Sequence, residues 1–486
     1  MSTGEAGMSA TAHRILSNTA YQLIGQVFHL LLNIVVMAMV ARYLGAEGFG
    51  KYTFIFVLLS LFAILTDFGI NDIVVRELSK DKSLICRVVY DLFCFKFVLG
   101  ILAIGFSIAA VFILGYSPQI CSCFIWASVS LLLMSFASIS TIVFRVNLWM
   151  KRNTVAIVTK DIFLLLLTYA AIVHRCGLPA LIWASVAANF VNLCVSLVLI
   201  GDVIRIPRTP FNRAIWEKIG RSALPLGFAC LVVTLYAGID TLLLEHMVGQ
   251  TAVGYYNAAY KFVYQAIFIP VALVNSIFPF MADYWNKDRE RLKVLFQKAY
   301  DSMVIVAIPL AAVVTVIAPK LITLIYGEGF SPSVPSLQIL IWAVAVMFQG
   351  IICGYMMIAI NEQKTSLYID ILALLLNIIL NIILIPKLTF IGTSIVTLLT
   401  EIFAIVPTIY IIQKRLEYTL SIVCLLKSLV IGALCALLLV ISYKWNLIVQ
   451  AGICLSGYAA LAYYFKLIPE EVAQQLWRKA SPGRVV

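Results

Sequence analysis

Charge is what this sequence has least of. Only 12% of its 486 residues are Asp, Glu, Lys or Arg, and 63% are hydrophobic; a soluble domain carries about 25% and about 45–50%. No polar stretch of domain size interrupts the apolar runs that recur from Thr19 to Phe465, so a soluble catalytic domain is excluded. Phosphate-cradling glycine loops and the HExxH, GxSxG and kinase-type motifs are missing, apart from the weak turn Gly327-Glu328-Gly329, so ATP hydrolysis is not expected to drive its work. The close pair Cys121 and Cys123 has no second pair at zinc-ligand spacing. The eleven cysteines, scattered mostly in apolar segments, read as small membrane-embedded hydrophobes, and neither metal nor cofactor is expected.

What remains is a chain whose solvent is the bilayer. The first apolar run is too long for a signal peptide and has no clear A-x-A cleavage site, so it is expected to stay as an anchor. The net charge of +12 sits in short clusters between apolar segments, not on one aromatic-interleaved face, which argues against nucleic acid.

A helix needs about 20 apolar residues to cross the hydrocarbon core. Division at charges, Pro and Gly gives fourteen candidates: 19–41, 53–73, 92–114, 121–144, 155–173, 178–200, 223–244, 254–279, 303–325, 334–360, 367–385, 390–412, 420–442 and 447–465. The fold class is therefore all-α integral membrane. Of the 35 Lys and Arg residues, 25 fall in the loops on the side of the termini, five in the opposite loops and five inside helices. The positive-inside rule puts both termini in the cytoplasm.

Sliding the sequence on itself by 204 residues aligns Gly45-x4-Gly50-x-Tyr52 with Gly249-x4-Gly254-x-Tyr256, and Lys160 with Lys364. The offset also superposes the first helices of each half. Six helices per unit is an even number, so the repeats enter the membrane with the same topology. The expected organisation is an N-terminal six-helix lobe at 1–204, a basic cytoplasmic linker at 205–222, a C-terminal six-helix lobe at 223–415, and a terminal helix pair with tail at 416–486. Two such lobes are expected to enclose a cavity and expose it to each side in turn.

The chain resembles the polysaccharide and oligosaccharide flippases, the Wzx-like branch of the superfamily that also holds the MATE drug exporters and the lipid II flippase MurJ. The resemblance rests on Ala41-Arg42-Tyr43-Leu44-Gly45-Ala46-Glu47-Gly48-Phe49-Gly50-Lys51-Tyr52, Asp67-Phe68-Gly69, and Val75-Arg76-Glu77-Leu78. In the second half it rests on Asp240, Val253-Gly254-Tyr255-Tyr256-Asn257-Ala258-Ala259-Tyr260-Lys261, Tyr326-Gly327-Glu328-Gly329-Phe330, and Asn377-x3-Asn381-x4-Pro386-x5-Gly392. It implies a MurJ/MATE-like fold and an isoprenoid-linked sugar moved from the cytoplasmic to the outer leaflet. The family's cationic cavity residues transfer poorly, because the cavity candidates here are fewer and less basic than in MurJ.

A charge at mid-membrane costs at least about 2.5–3.5 kcal/mol, so each one demands a partner or water. Glu401 lies near the middle of its helix, roughly 16 Å deep at 1.5 Å per residue; it reads as a proton-coupling group or as a neutral hydrogen-bonded one. Asp240 and Lys261, on adjacent helices at comparable depth, are expected to pair, either structurally or as a gate. Arg42 either meets a lipid pyrophosphate bidentately or anchors a helix end. Asp67, with Asp72 and Arg76 nearby, is expected to tie the cytoplasmic gate. Lys96, Lys427 and the Lys160–Asp161 pair are placed near cytoplasmic helix ends, where a lysine stem can snorkel. Asn377 and Asn381 read as glue between helices, and Tyr255, Tyr256, Tyr260 and Tyr264 as an interfacial belt, with sugar stacking as the alternative.

The expectation is a flippase, not an enzyme. It would translocate lipid-linked (polyprenyl-pyrophosphate) oligosaccharide or polysaccharide repeat units across the cell membrane for O-antigen, capsule or exopolysaccharide synthesis. Its partners would be the lipid-linked oligosaccharide, membrane lipids and other polysaccharide-assembly proteins. A MATE-type drug exporter is the alternative; a polysaccharide polymerase or glycosyltransferase is disfavoured by outer loops only a few residues long.

Overall fold

A computed structural model describes residues 2–82, 85–201, 213–441, 450, 452, 456–458 and 461, and the side chains of most of them from Tyr21 onward. The expected fourteenth helix at 447–465, the stretch 205–212 of the expected linker and the tail lie largely outside the described residues. All regular structure among the described residues is helical. Among them, eleven helices are long and apolar enough to cross a membrane. Their outward faces are apolar, as at the exposed Phe106, Tyr169, Val198 and Val406. That is the inverse of a soluble protein and the mark of lipid contact.

Two of the eleven are too long for one crossing. Helix α1, Ser2–Asp67, and helix α12, Gln363–Leu416, each contain a single residue with non-helical backbone, Gly45 and Thr389. At 1.5 Å per residue α1 would otherwise run about 99 Å, three times the hydrocarbon thickness. Gly45 takes a φ of 67°, which glycine adopts without steric cost. The break leaves one span-length piece, 46–67, and a longer one, 2–44, whose apolar part from Thr19 is of span length. The expected segments before residue 442 all overlap described helix, but 53–73 runs past the end of α1 at Asp67, 254–279 crosses a break after Ala266, and 420–442 begins ahead of the helix that starts at Val423.

The chain packs as two compact units, Met1–Gly254 and Tyr255–Val486. In the first, α1 is followed by α2 (Ile70–Lys80), α3 (Ile85–Ile113), α4 (Pro118–Val146), α5 (Met150–Val173), α6 (Gly177–Ile200) and α7 (Arg213–Met247). Asp67-Phe68-Gly69 separates α1 from α2 because Phe68 and Gly69 both have positive φ. Helix α2 is short and amphipathic. Its Ile70, Val74 and Leu78 face a core with Leu92, Ile142, Phe144 and Trp216, while Asp72, Arg76 and Lys80 stay outside.

Helix α8 (Gln250–Ala266) begins in the first unit and continues in the second. It was expected to run on to Pro279 but stops at Ala266, and α9 (Phe268–Lys287) follows. Pro270 has no N–H to give the Ala266 carbonyl, so the ladder lapses there. The second unit continues with α10 (Arg289–Tyr326), a 3-10 turn at Glu328–Ser333, α11 (Val334–Ala359), α12 and α13 (Val423–Ile441). In α12 the reversal at Thr389 brings Gly392 so close to Leu384 that a Cβ on Gly392 would lie 2.7 Å from the Leu384 carbonyl oxygen. Side chains are excluded by that contact.

Candidate functional site

The repeat found in the sequence has a structural counterpart. A Cβ built on Gly50 would stand 1.8 Å from the Gln250 carbonyl oxygen, and one built on Gly254 would stand 2.0 Å from that of Ala46. Residues 46 and 250, like 50 and 254, are 204 apart, so each motif glycine meets the other motif's equivalent carbonyl. The crossing of α1 with the first turn of α8 is thus reciprocal, as at a two-fold axis. Only glycine lets the backbones approach so closely.

Between α1 and α5 of the first unit lies a cluster of ionisable side chains that no local sequence pattern assembles. Helices α1 and α5 run side by side in register. Thr154 donates to the Tyr21 carbonyl oxygen at 3.1 Å, and at the far end the Gly177 N–H donates to the Tyr43 hydroxyl at 3.0 Å. Between these, His29 Nδ1 lies 2.6 Å from Asp161 Oδ2, and Lys160 Nζ lies 3.2 Å from Asp161 Oδ1. The Asp161 side chain is 4% exposed, those of His29 and Lys160 29% and 23%.

This corrects the expectation that Lys160 and Asp161 sit near a helix end. Helix α5 begins at Met150, not Val155, so both residues are about 15–20 Å from either end. His29 escapes a sequence reading that counts only Asp, Glu, Lys and Arg as costly in an apolar run. A histidine in the first span was the available signal; the identity of its partner was not readable, because no local pattern pairs helices 132 residues apart.

A second cluster lies toward the basic end of the same unit. Lys96 is fully buried, with Nζ 2.9 Å from the Ser138 hydroxyl and 3.6 Å from Asp67 Oδ1. It does not snorkel. Its carboxylate partner closes α1 and also accepts the Asn71 N–H at 3.0 Å. The ring of Phe68 next to it packs on Phe228 at a centroid distance of 5.4 Å and lies against Gly227, where a Cβ would collide with it. Asp67 is therefore tied to α3 and the Pro225-to-Phe228 segment of α7, while Asp72 pairs with Arg145 at 2.8 Å. Asp91, buried on α3, accepts the Trp216 indole N–H at 3.1 Å.

The remaining predicted residues lie on other stretches of helix. Arg42 is exposed on α1, three residues before the break at Gly45, and Asp240 is buried on α7. In the second unit, Lys261 is half-buried on α8, and Glu401 half-buried on α12, eleven residues past the start of its expected span at Phe390. Asn377 and Asn381 are buried, and Asn381 Nδ2 donates to Asn377 Oδ1 at 2.9 Å and to its carbonyl at 3.1 Å. That bond runs along one helix, not between helices. Tyr256 is likewise not part of a belt. It is fully buried, its hydroxyl 3.3 Å from that of Thr397, its ring stacked on Tyr260. Tyr264, 69% exposed, fits the belt reading. No group of His, Cys, Asp and Glu among the described residues could hold a metal ion.

Residues 15–285 match the family model described as polysaccharide biosynthesis protein, and residues 225–383 match the MatE model. The capsular polysaccharide biosynthesis protein CapF of Staphylococcus aureus is 23% identical over 42% of this chain and 52% of that protein. The probable low-salt glycan biosynthesis flippase Agl15 of Haloferax volcanii is 21% identical over 46% of each. The chain spans about half the length of the curated relatives it matches. The structure of the lipid II flippase MurJ in an inward closed conformation superposes with a TM-score of 0.75 at 15% identity, covering 93% of this chain and 98% of that one. An inward-facing MATE-family transporter superposes with 0.69 at 15%, covering 82% and 98%.

Proposed function

Since the chain belongs to the polysaccharide biosynthesis protein family, a multi-pass membrane family, and has the MurJ/MATE fold, we propose that it is a flippase. Its substrate is a polyprenyl-pyrophosphate-linked oligosaccharide or polysaccharide repeat unit, moved from the cytoplasmic to the outer leaflet by alternating access. The family match over residues 15–285 carries this reading, and the flippase names of two relatives support it. The membrane is the cell's inner or cytoplasmic membrane, with both termini cytoplasmic. The 25-to-5 asymmetry of basic residues supports that orientation. No step of the cycle needs a bond to be made or broken.

Within this reading Arg42, at a helix end, offers a guanidinium to the lipid pyrophosphate. Asp67 holds the basic end of the first unit closed through Lys96, Asp240 and Lys261 are gating or substrate groups, and Glu401 takes part in ion coupling. The division into lobes at 1–204 and 223–415, joined by 205–222, follows the sequence repeat, and the residues from 416 form an added helix pair.

The test is the purified chain in proteoliposomes with a fluorescent polyprenyl-pyrophosphate oligosaccharide. Accessibility of the inner-leaflet lipid to a membrane-impermeant reagent should rise with the protein present. Equal accessibility with and without it would reject the proposal. The MatE match over residues 225–383 favours a drug exporter as the second reading; lowered drug accumulation in a sensitised strain, with no lipid flipping, would select it.

A further inference from the structure

Several basic side chains at one end of the first unit have a carboxylate of their own. Arg76 and Lys80 share Glu77, Arg145 pairs with Asp72, and Arg221 pairs with Glu217. Lys151, the second residue of α5, has no carboxylate within ion-pair distance among the described residues. Its Nζ lies instead 5.7 Å from the centroid of the Tyr21 ring on α1. The next residue, Arg152, stacks over the Trp149 ring at 4.0 Å and donates to the Leu199 carbonyl oxygen at 2.8 Å, which fixes a second positive charge beside the first. No nearby acid offsets them. Residues 21–44 contain none, and the one carboxylate of α5, Asp161, is held by His29 and Lys160.

From these cations a groove runs between the two helices. Helices α1 and α5 are parallel and meet at Gly25 and Thr154, where a Cβ on Gly25 would fall 2.5 Å from Thr154 Cγ2, and again at His29 and Asp161. Ile24 and Phe28, each one residue before a contact residue of α1, are exposed, and so are Val155 and Ile162, each one residue after a contact residue of α5. One residue turns a helix by about 100°. For two parallel right-handed helices with opposed contact faces, the position before contact on one and the position after contact on the other fall on the same side of the pair. The exposed residues therefore flank a single groove, which Leu31 and Leu166 continue. From Val155 to Leu166 it runs about 16 Å, half of the hydrocarbon core and so the depth of one leaflet.

Every lipid-facing helix meets acyl chains, but the head of this groove is selective. An ammonium with three donors faces a phenol whose hydroxyl has no hydrogen-bond partner among the described residues. A zwitterionic headgroup brings its own cation, which Lys151 and Arg152 repel; a phosphatidylglycerol headgroup brings only the phosphate. Basic pockets between membrane helices bind anionic lipids on that ground. A lipid seated here touches both helices at once.

We infer that the groove between α1 and α5 binds one anionic phospholipid, its phosphate on Lys151 and the Tyr21 hydroxyl and an acyl chain between Ile24 and Phe28 of α1 and Val155 and Ile162 of α5, and that this lipid clamps the two helices together. The orientation proposed above puts it in the cytoplasmic leaflet. The site itself does not depend on the flippase reading.

The test is titration of the purified full chain in detergent micelles with phosphatidylglycerol, followed by thermal melting and native mass spectrometry. The melting temperature should rise with phosphatidylglycerol, and rise less with the same mole fraction of phosphatidylcholine, and one phosphatidylglycerol should stay bound in the spectrum. Lys151→Gln should leave the lipid-free melt unchanged and raise the phosphatidylglycerol needed for half the effect about fivefold. Val155→Trp, which fills the groove and keeps the charge, should weaken binding as well. Lys80→Gln, whose cation already has Glu77, should change nothing. Glycerophosphoglycerol, the same headgroup without chains, should not compete at equal concentration.

Equal responses to the two lipids, or a Lys151→Gln variant that titrates like the native chain, would overturn the site. Competition by glycerophosphoglycerol, or a Val155→Trp variant with native affinity, would overturn the groove as the chain's seat. If polyprenyl pyrophosphate displaces phosphatidylglycerol at equal mole fraction, the groove is a substrate site and the clamp is overturned.

Discussion

Gly50→Ala and Gly254→Ala should each destabilise the chain, and the two together should cost less than their sum. A Cβ added at Gly50 would fall 1.8 Å from the Gln250 carbonyl oxygen and 3.0 Å from the Gly254 nitrogen; one added at Gly254 would fall 2.0 Å from the Ala46 oxygen and 3.2 Å from the Gly50 nitrogen. Ordinary contact begins at 3.4 Å, so the helices must part by about 1.5 Å, and a close-packed interior resists a gap of that size. Overpacking costs about 1–3 kcal/mol. The struck atoms are backbone, which cannot swing aside, so the upper end applies. Alanine recovers about 1 kcal/mol of helix propensity, leaving a net loss of about 2 kcal/mol for each variant.

Independent sites would give about 4 kcal/mol for the pair. Because both added methyl groups push on the same crossing, the separation forced by one accommodates the other; the overpacking of about 3 kcal/mol is then incurred once and the propensity gain of about 1 kcal/mol twice, so the pair should cost about 1 kcal/mol. Denaturant titration of purified protein in mixed micelles measures all three variants. Gly105, with nothing within 4 Å of its Cβ position, supplies the control: Gly105→Ala should stabilise by about 1 kcal/mol. A double variant whose loss equals the sum of the singles would refute the shared contact.

Three further outcomes follow from the ionisable groups. Asp67→Asn should destabilise the fold by about 3–5 kcal/mol, because it leaves the buried Lys96 ammonium without its counter-charge, whereas Lys96→Met should cost far less; equal losses in thermal melts would count against the pairing. Glu362, bonded by Thr365 and paired with Arg415, is held below the ordinary 4.5. Its stabilisation is fully present above that value and fades as pH falls through the lower folded-state value; Glu362→Gln should flatten stability in that acid window, and an unchanged acid profile would contradict it. Glu401→Gln should lower transport or alter its pH dependence in proteoliposomes, and a variant indistinguishable from the native chain would remove Glu401 from coupling.

Membrane spans were legible because apolar length is a property of the local sequence. The break at Gly45 was legible for the same reason, with a glycine and polar neighbours between two apolar runs. Lys96 was misplaced because depth was judged from where apolarity begins, while α3 starts at Ile85, well before the apolar run expected from Leu92. The same misjudgement moved Asp161 from mid-helix to its edge. Tyr256 looked interfacial beside three other tyrosines, yet a buried hydroxyl partner, Thr397, lay 141 residues away. The two motifs of the repeat were found, but not that they touch, since the offset fixes equivalence and says nothing of distance. Pairings across helices are where local reading ends.

The separation of His29 from Asp161 by 132 residues also has a consequence for biogenesis. At about 5–20 residues per second, roughly 7–26 s of synthesis pass before the histidine can meet its carboxylate. An arginine at position 29 would spend that interval as a permanent unpaired cation in lipid. An imidazole has a neutral form in which to wait, and Lys160 and Asp161 enter on one helix already neighbours and mutually neutralising. The cluster can therefore be inserted in pieces that each carry no net charge.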